Sequence, residues 1–303
     1  MKFTAVVVTY NRIKLLKECL EHLERQTVPV EKIIIMDNYS DDGTEAFLKN
    51  YINNNKYIIY RNTENMGGAY GFYKGLEIAM DLDCNWVLLI DDDAILDENY
   101  FYHIQKHIVQ DQQKYQAYSG TVYTDGRIYE RHRVRNRYTK CFCPKGVRIK
   151  EYRKDYYLYD YATFCGLLIK KELITKVGLP LKEYFLWDDD SEYGIRLRKY
   201  TQCKNVNAAF LNHKAKSFSV FSYKKYYGTR NRIDLCKRHF NNPVGISYCM
   251  VKMYVRLLVD VCRKIIKCEF TEIPYVIRLY LDAIHDGKTG RLGKNERYLP
   301  NQK

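Results

Sequence analysis

The chain has 303 residues, 46% of them apolar, so it can bury a large core, and a formal charge of +14 favours a polyanionic partner. No run is long enough for a transmembrane helix, and the apolar stretch Phe3-to-Val8 is too short for a secretory leader, which predicts a cytoplasmic protein. Ten scattered cysteines read as reduced thiols, and the one close pair, Cys141 and Cys143, lacks zinc-site spacing.

In chain order, the β-branched run at 3–9 predicts a first strand, followed by Tyr10, Asn11 and Arg12 and a helix with Leu15, Leu16, Cys19, Leu20 and Leu23 on one face. A second strand over 33–36 ends at Asp37. Ser40 or Asp41 is a candidate cap for a helix over 42–53. A third strand over 57–60 runs into Asn65-Met66-Gly67-Gly68, where glycines let backbone approach a ligand, and a helix over 69–81 follows. A fourth apolar strand from Trp86 ends abruptly in Asp91, Asp92 and Asp93. Strand–helix alternation of this kind predicts an α/β fold with a parallel, Rossmann-like sheet, whose ligands bind beyond the carboxyl ends of the strands. Three adjacent carboxylates there repel one another and suit a hard divalent cation, Mg²⁺ or Mn²⁺, which also binds diphosphates. The alternative for the triplet is a solvated turn, and for Gly67-Gly68 a helix-starting turn. Thr9 to Arg12 and Asp37 suit a base and ribose. Neither G-x-x-x-x-G-K-[ST] nor G-x-G-x-x-G occurs, which argues against a P-loop NTPase and a dinucleotide dehydrogenase.

A helix is expected over 97–110 and a strand over 116–123. The stretch 124–155 is strongly basic, through Arg127, Arg131, Arg133, Arg135 and others, and reads as a solvated hairpin or a phosphate- or acceptor-binding flap. No recognised RNA- or DNA-binding motif accompanies it, so nucleic acid is not expected as a partner. A strand over 161–169 precedes Trp187-Asp188-Asp189-Asp190 and a helix over 191–199. An aromatic beside carboxylates suits a sugar face and a general base, although acidic residues also commonly open helices. His213 follows a strand over 203–211, a place where a lone histidine is usually structural. The helical tail 245–286 has a narrow polar stripe (Lys252, Arg256, Asp260, Arg263, Lys264, Lys267); its apolar remainder needs cover from the core, another subunit in a homo-oligomer, or an anionic membrane surface.

VVVTYNR, the Asp37 strand end, NMGGAYG and the DDD after an apolar strand resemble inverting family-two glycosyltransferases of the GT-A fold. The resemblance implies a GT-A domain over 1–211, its nucleotide-sugar half 1–95 and acceptor half 96–211, followed by a metal- and diphosphate-contacting segment and helical region over 212–303. It implies a nucleotide-sugar donor held by Thr9, Tyr10, Asn11, Arg12, Asp37, Asn65, Gly67, Gly68, Asp91 and Asp92. Asp91, Asp93 and His213 would be the ligands of Mn²⁺ or Mg²⁺. The stretch from Trp187 resembles the W-D-D-x-[DE]-Y-x-x-R element of galactofuranosyltransferases, which makes Asp189 the base and puts Asp188 on the acceptor, with Asp190 leaving a one-residue ambiguity. Tyr226-to-Asn231 matches a YYxxRN element of the same group, placing Tyr227 and Arg230 near the diphosphate or acceptor. The implied donor is UDP-galactofuranose, with dTDP-rhamnose the alternative, and the acceptor is a glycan or lipid-linked glycan. A nucleotidyltransferase and a non-catalytic nucleotide-sugar-binding module are the rival readings.

Overall fold

The computed structural model describes residues 1–214 and 222–299. Its elements, in order, are β1 (Phe3–Thr9), α1 (Ile13–Glu24), β2 (Lys32–Asp37), α2 (Thr44–Leu48), β3 (Tyr57–Arg61), α3 (Gly67–Met80), β4 (Trp86–Asp91), β5 (Ala94–Leu96), α4 (Tyr100–Gln110), β6 (Ala117–Thr124) and β7 (Arg127–Ile128). There follow β8 (Arg133–Asn136), β9 (Pro144–Gly146), β10 (Tyr156–Tyr159), β11 (Tyr161–Ala162), β12 (Leu167–Lys170), α5 (Lys171–Val177), α6 (Asp189–Arg198), β13 (Cys203–His213), α7 (Lys224–His239), α8 (Pro243–Ile266) and α9 (Ile273–Thr289).

The chain forms two compact units. One holds residues 1–135, 145–181 and 190–214; the other holds 136–144, 182–189 and 222–299. This division differs from a single boundary at 211/212, because two short segments from the middle of the chain fold with the C-terminal helices.

In the first unit the α/β expectation holds. The sheet runs β10-β13-β6-β12-β4-β1-β2-β3, and its β4-β1-β2-β3 half is wholly parallel. Strand β12 then enters antiparallel between β4 and β6. Strands β1, β2 and β4 are buried on both faces, which is why they read as unbroken apolar runs rather than alternations. Val6 and Ile34 face α3, while Val7 and Ile35 face the α1 side.

Several elements differ from the sequence reading. Helix α2 is short and passes into a 3-10 turn at Lys49–Tyr51; its N-cap is Gly43 at φ +92°, not Ser40 or Asp41. Ser40 and Asp41 instead bond to Asn11, tying the loops after β1 and β2 together. The expected strand over 161–169 is broken into β11 and β12, and the expected helix over 97–110 is preceded by β5, which pairs with β13. The basic stretch is not uniformly solvated: Arg133 is wholly buried, donating to the carbonyls of Gly120 (3.0 Å) and Cys165 (2.9 Å).

In the second unit, α7 packs on α9 and α8. The expected continuous tail helix is two helices, separated by a 3-10 turn at Phe270–Glu272. Its polar stripe is split: Lys252 and Lys264 are half-buried, and Arg256, Arg263 and Lys267 are exposed. Asp260 is buried, accepting from Lys225 and from the Tyr280 hydroxyl (2.8 Å), while Val251, Tyr254, Val255, Leu258, Val259, Ile265 and Ile266 are exposed. Among the described residues no helix is long and apolar enough to cross a membrane.

The approach of α3 to β1 depends on two glycines. A Cβ at Gly75 would stand 2.3 Å from Val6 Cγ1, and one at Gly71 2.7 Å from Val8 Cγ1. Gly75→Ala therefore forces the helix off the sheet and is expected to cost about 1–3 kcal/mol of stability. Gly68→Ala, whose Cβ meets nothing within 4 Å, is the control. Urea denaturation of both variants checks this, and an unchanged midpoint for Gly75→Ala would contradict it.

Candidate active site

The residues singled out in the first unit collect at the carboxyl ends of β1, β2, β4 and β13. The parallel register sets Val8 opposite Asp91 and Thr9 opposite Asp37. Thr9 Oγ1 donates to Asp92 Oδ2 at 2.7 Å. Arg12 Nη1 reaches Asp93 Oδ2 (2.5 Å) and Asp92 Oδ1 (3.2 Å). Tyr10 is half-buried, and Asn11 takes a left-handed φ of +53° to make the latch to the next loop. Asp37 is buried, paired with Arg61, and accepts from Ser40 N at 3.0 Å. Sequence reasoning missed Arg61 and also Asn38, whose Oδ1 accepts from Asn62 Nδ2 and Met66 N, both at 2.9 Å. Asn65 Oδ1 accepts from Gly67 N (2.9 Å) and from Asn38 Nδ2 (2.8 Å). Gly67 has φ +80°, which only glycine adopts without strain, and it opens α3.

The acidic triplet is electrostatically loaded. Burial, reinforced by the charges of Asp93 and Asp92, pushes the Asp91 carboxyl up to about 7. Burial also pushes Asp92 up to about 6, against the pull of Arg12 and Thr9. Burial works in the same direction on Asp93, but the His213 imidazole and the Arg12 guanidinium outweigh it and hold this carboxyl below its ordinary value. Burial would lower His213; its Asp93 partner raises it instead.

His213 ends β13, which pairs with β5 directly after the triplet, setting His213 opposite Ala94. Its Nε2 lies 3.2 Å from Asp93 Oδ1. Among the described residues Asp93 Oδ1 is a buried oxygen with no hydrogen bond, its contact to His213 being an ion pair. An orphaned carboxylate oxygen beside an imidazole nitrogen, in a site short of positive charge, fits a divalent cation.

In the second unit, the segment from Tyr184 to Asp189 is held in an unusual backbone shape: Phe185, Trp187 and Asp188 all have φ +64°. Such residues cost roughly 1–3 kcal/mol each and persist only when surroundings over-determine them. Asn231 Nδ2 donates to the carbonyls of Tyr184 (2.9 Å), Leu186 (2.8 Å) and Trp187 (2.8 Å). Arg230 donates to the carbonyls of Tyr184 (3.0 Å) and Gly293 (2.5 Å). Arg232 grips Asp188 through two bonds, at 2.9 and 2.5 Å. The Trp187 ring lies against Gly228, where a Cβ would meet Cε3 at 2.5 Å, yet Trp187 remains 43% exposed. Asp189 is buried and opens α6.

Tyr227 and Arg230 are thus interior residues. Tyr227 is fully buried, stacked on Phe185 with ring centroids 4.7 Å apart, and Arg230 spends its guanidinium on backbone carbonyls and on Asn231 Oδ1. The resemblance places both near the diphosphate or acceptor; within the chain both have a role in holding the Tyr184–Trp187 segment, Tyr227 through Phe185 and Arg230 through the Tyr184 carbonyl. Asn231 and Gly228 share that role, and their signal in the sequence was the YYxxRN element itself.

The raised Asp91 carboxyl has a consequence for stability. The folded state holds this proton more tightly than the unfolded chain, so the stabilisation present below the unfolded value near 4 is lost as pH rises through about 7. In chelator, Asp91→Asn is expected to melt at increasingly higher temperature than the wild type as pH goes from 5 to 8. A melting difference that does not change with pH would contradict the burial argument.

The sequence profile of the glycosyl transferase family 2 matches residues 4–178. Similar proteins include galactofuranosyltransferase GlfT1 of Mycolicibacterium smegmatis (34% identical over 90 residues, 30% of this chain and 29% of that one). Another is the O-antigen chain rhamnosyltransferase RfbN of Salmonella typhimurium (30% over 96 residues, 32% of this chain and 29% of that one). The chain therefore spans less than a third of these two relatives, and 15% of glycosyltransferase GlyA of Streptococcus pneumoniae. The fold is shared with solved structures. These include GalNAc-T7 with UDP, GalNAc and Mn²⁺ (TM-score 0.63, 15% identity, 78% of this chain and 48% of that one). They also include S. aureus TarS 1-349 in complex with UDP-GlcNAc (TM-score 0.55, 15% identity, 82% and 69%). With the match running through the parallel half of the sheet and the acidic triplet as far as α5, this chain belongs to glycosyl transferase family 2.

Proposed function

We propose that the protein is a metal-dependent, inverting glycosyltransferase that moves a sugar from a nucleoside diphosphate onto a glycan or lipid-linked glycan. The observation that carries this reading is the orphaned Asp93 Oδ1 facing His213 Nε2, at the strand ends where Thr9, Arg12 and Asp37 also converge. A Mn²⁺ or Mg²⁺ ion held by Asp93 and His213, with Asp91 beside them, would supply counter-charge for the diphosphate as it leaves. Asp37 and the Asn65–Gly68 turn serve the nucleotide, and Gly68 leaves room for close approach of a ligand to backbone.

Asp189 takes the proton of the acceptor hydroxyl as that oxygen bonds to the anomeric carbon and the bond to the diphosphate breaks. The Asp188 carboxylate is paired with Arg232. Exposed Trp187 offers a face for the sugar. UDP-galactofuranose is the donor this reading favours, on the Trp187-Asp188-Asp189 element and the likeness to GlfT1; dTDP-rhamnose is the alternative, on the likeness to RfbN.

A panel of nucleotide sugars assayed with Mn²⁺ and with chelator tests the reaction. His213→Ala is expected to abolish metal-supported transfer, and Asp189→Asn to lower transfer roughly 10²–10⁴-fold with donor affinity kept. Asp188→Asn is expected mainly to lower stability, since it breaks a buried pair. Full transfer by Asp189→Asn would move the base elsewhere, and donor binding without turnover would favour a binding module.

The acceptor reading extends to a surface. Exposed Leu258, Val259, Ile265, Ile266 (80% exposed) and Phe270 lie beside exposed Arg263 and Lys267, and Ile277 and Leu281 beside Arg278. Apolar groups facing outward among cations suit the interface of an anionic bilayer, where each basic residue adds about 1 kcal/mol. Flotation with anionic vesicles, reversed by salt and lost in Leu258→Glu/Ile266→Glu, is the expected result. Concentration-dependent dimerisation that hides this face, without vesicle binding, would assign it to a second subunit.

A further inference from the structure

Beside the acidic triplet lies a second cluster, two of whose three members, His132 and Cys165, neither the family reading nor the proposed reaction uses. His132, Cys165 and His213 offer ligand atoms that all lie within 4.8 Å of one another. They come from three separate places: the turn before β8, the loop between β11 and β12, and the end of β13. The His132 and His213 rings meet edge to face, with centroids 4.8 Å apart.

His132 is the informative member. It is buried, its Nδ1 lies 2.7 Å from Thr163 Oγ1, and among the described residues its Nε2 is a buried nitrogen without any hydrogen bond. A proton on Nδ1, donated to Thr163, leaves Nε2 as a bare lone pair, the state in which imidazole binds a metal. Cys165 is fixed from behind, since its carbonyl accepts from the buried Arg133 at 2.9 Å and the next residue, Gly166, turns the chain at φ +75°.

We propose that His132, Cys165 and His213 form a binding site for a soft divalent cation, Zn²⁺, which shares His213 with the oxygen-lined centre at Asp93. Thiolate and imidazole donors select zinc over Mg²⁺ and Mn²⁺, which prefer oxygen. With Zn–N near 2.0 Å and Zn–S near 2.3 Å, tetrahedral ligands stand about 3.3–3.7 Å apart, so side-chain shifts on the order of 1 Å close the site. Binding exchanges the Cys165 S–H bond for an S–Zn bond and releases that proton to solvent. A second proton leaves where His213 is protonated beforehand. No electron changes hands.

For inhibition, the inference rests on the function proposed above: zinc at this site withdraws His213 from the Asp93 centre and suppresses transfer. For binding, it stands on the three side chains alone.

The test uses the full chain with Cys143, Cys262 and Cys268 changed to serine, titrated with Co²⁺ as a spectroscopic stand-in for Zn²⁺. One equivalent is expected to produce a near-ultraviolet sulfur-to-cobalt charge-transfer band, and Zn²⁺ to bleach it. Cys165→Ala is expected to remove the band, and His132→Gln to weaken cobalt binding at least tenfold, with circular dichroism confirming the fold of each. No band in the folded protein, or one that survives Cys165→Ala, overturns the site. Inhibition of Mn²⁺-supported transfer by stoichiometric Zn²⁺, relieved by Cys165→Ala, supports its consequence. A cobalt band with transfer indifferent to Zn²⁺ leaves the site standing and removes His213 from the catalytic cation.

Discussion

Three consecutive carboxylates at the end of a buried strand are the constraint around which the first unit is arranged. Each carboxylate taken out of water must be neutralised, hydrogen-bonded or protonated. All three remedies are visible. Arg12 reaches over Asp92 and Asp93, Thr9 donates to Asp92, and burial keeps Asp91 and Asp92 inclined to hold protons. Among the described residues Asp93 Oδ1 has no hydrogen bond and is met only by the His213 imidazole. The arrangement thus leaves one oxygen facing His213 Nε2 at 3.2 Å, the feature on which the proposed cation site rests.

The second unit solves a different problem, that of holding a chain segment in a shape it would not choose. Three residues between Phe185 and Asp188 sit in the left-handed region, and no glycine relieves them. Consecutive side chains of α7 compensate by occupying the segment's carbonyls and the Asp188 carboxylate, while Gly228 leaves space for the Trp187 ring. A rigid anchor for a half-exposed tryptophan and a neighbouring carboxylate is costly as structure alone. It is intelligible as preparation of a site.

Helix α8 departs from the usual arrangement of an amphipathic helix, exposing many apolar side chains alongside its cations. Asp260 is taken inward by Lys225 and Tyr280, and Lys264 bonds Glu269 and Glu272, so the apolar majority is left facing out. The +14 charge of the chain and this outward apolar face belong to the same surface logic, since cations flank the exposed Leu258, Ile265 and Ile266.

Much of this was legible in the residues alone. Apolar runs ending in Asp37 and Asp91–Asp93, with helical periodicity between them, determine a parallel sheet with its polar ends on one edge, because β periodicity and strand–helix alternation are local properties. The Trp187-to-Asp190 and Tyr226-to-Asn231 elements also stood out, but a motif carries no direction. Only packing decided that Arg230 and Tyr227 face inward and that Asp188 is spent on Arg232. The orientation of α8 was equally out of reach, since periodicity names two faces without saying which is covered. The His132–Cys165–His213 cluster lies furthest from the sequence. Its members are separated by dozens of residues, no ligand spacing links them, and they meet only because β13 returns to the sheet beside β5 and β6. Local pattern determines elements and their ends; which ends converge is a property of the tertiary chain path, because convergence depends on contacts between residues that are distant in sequence.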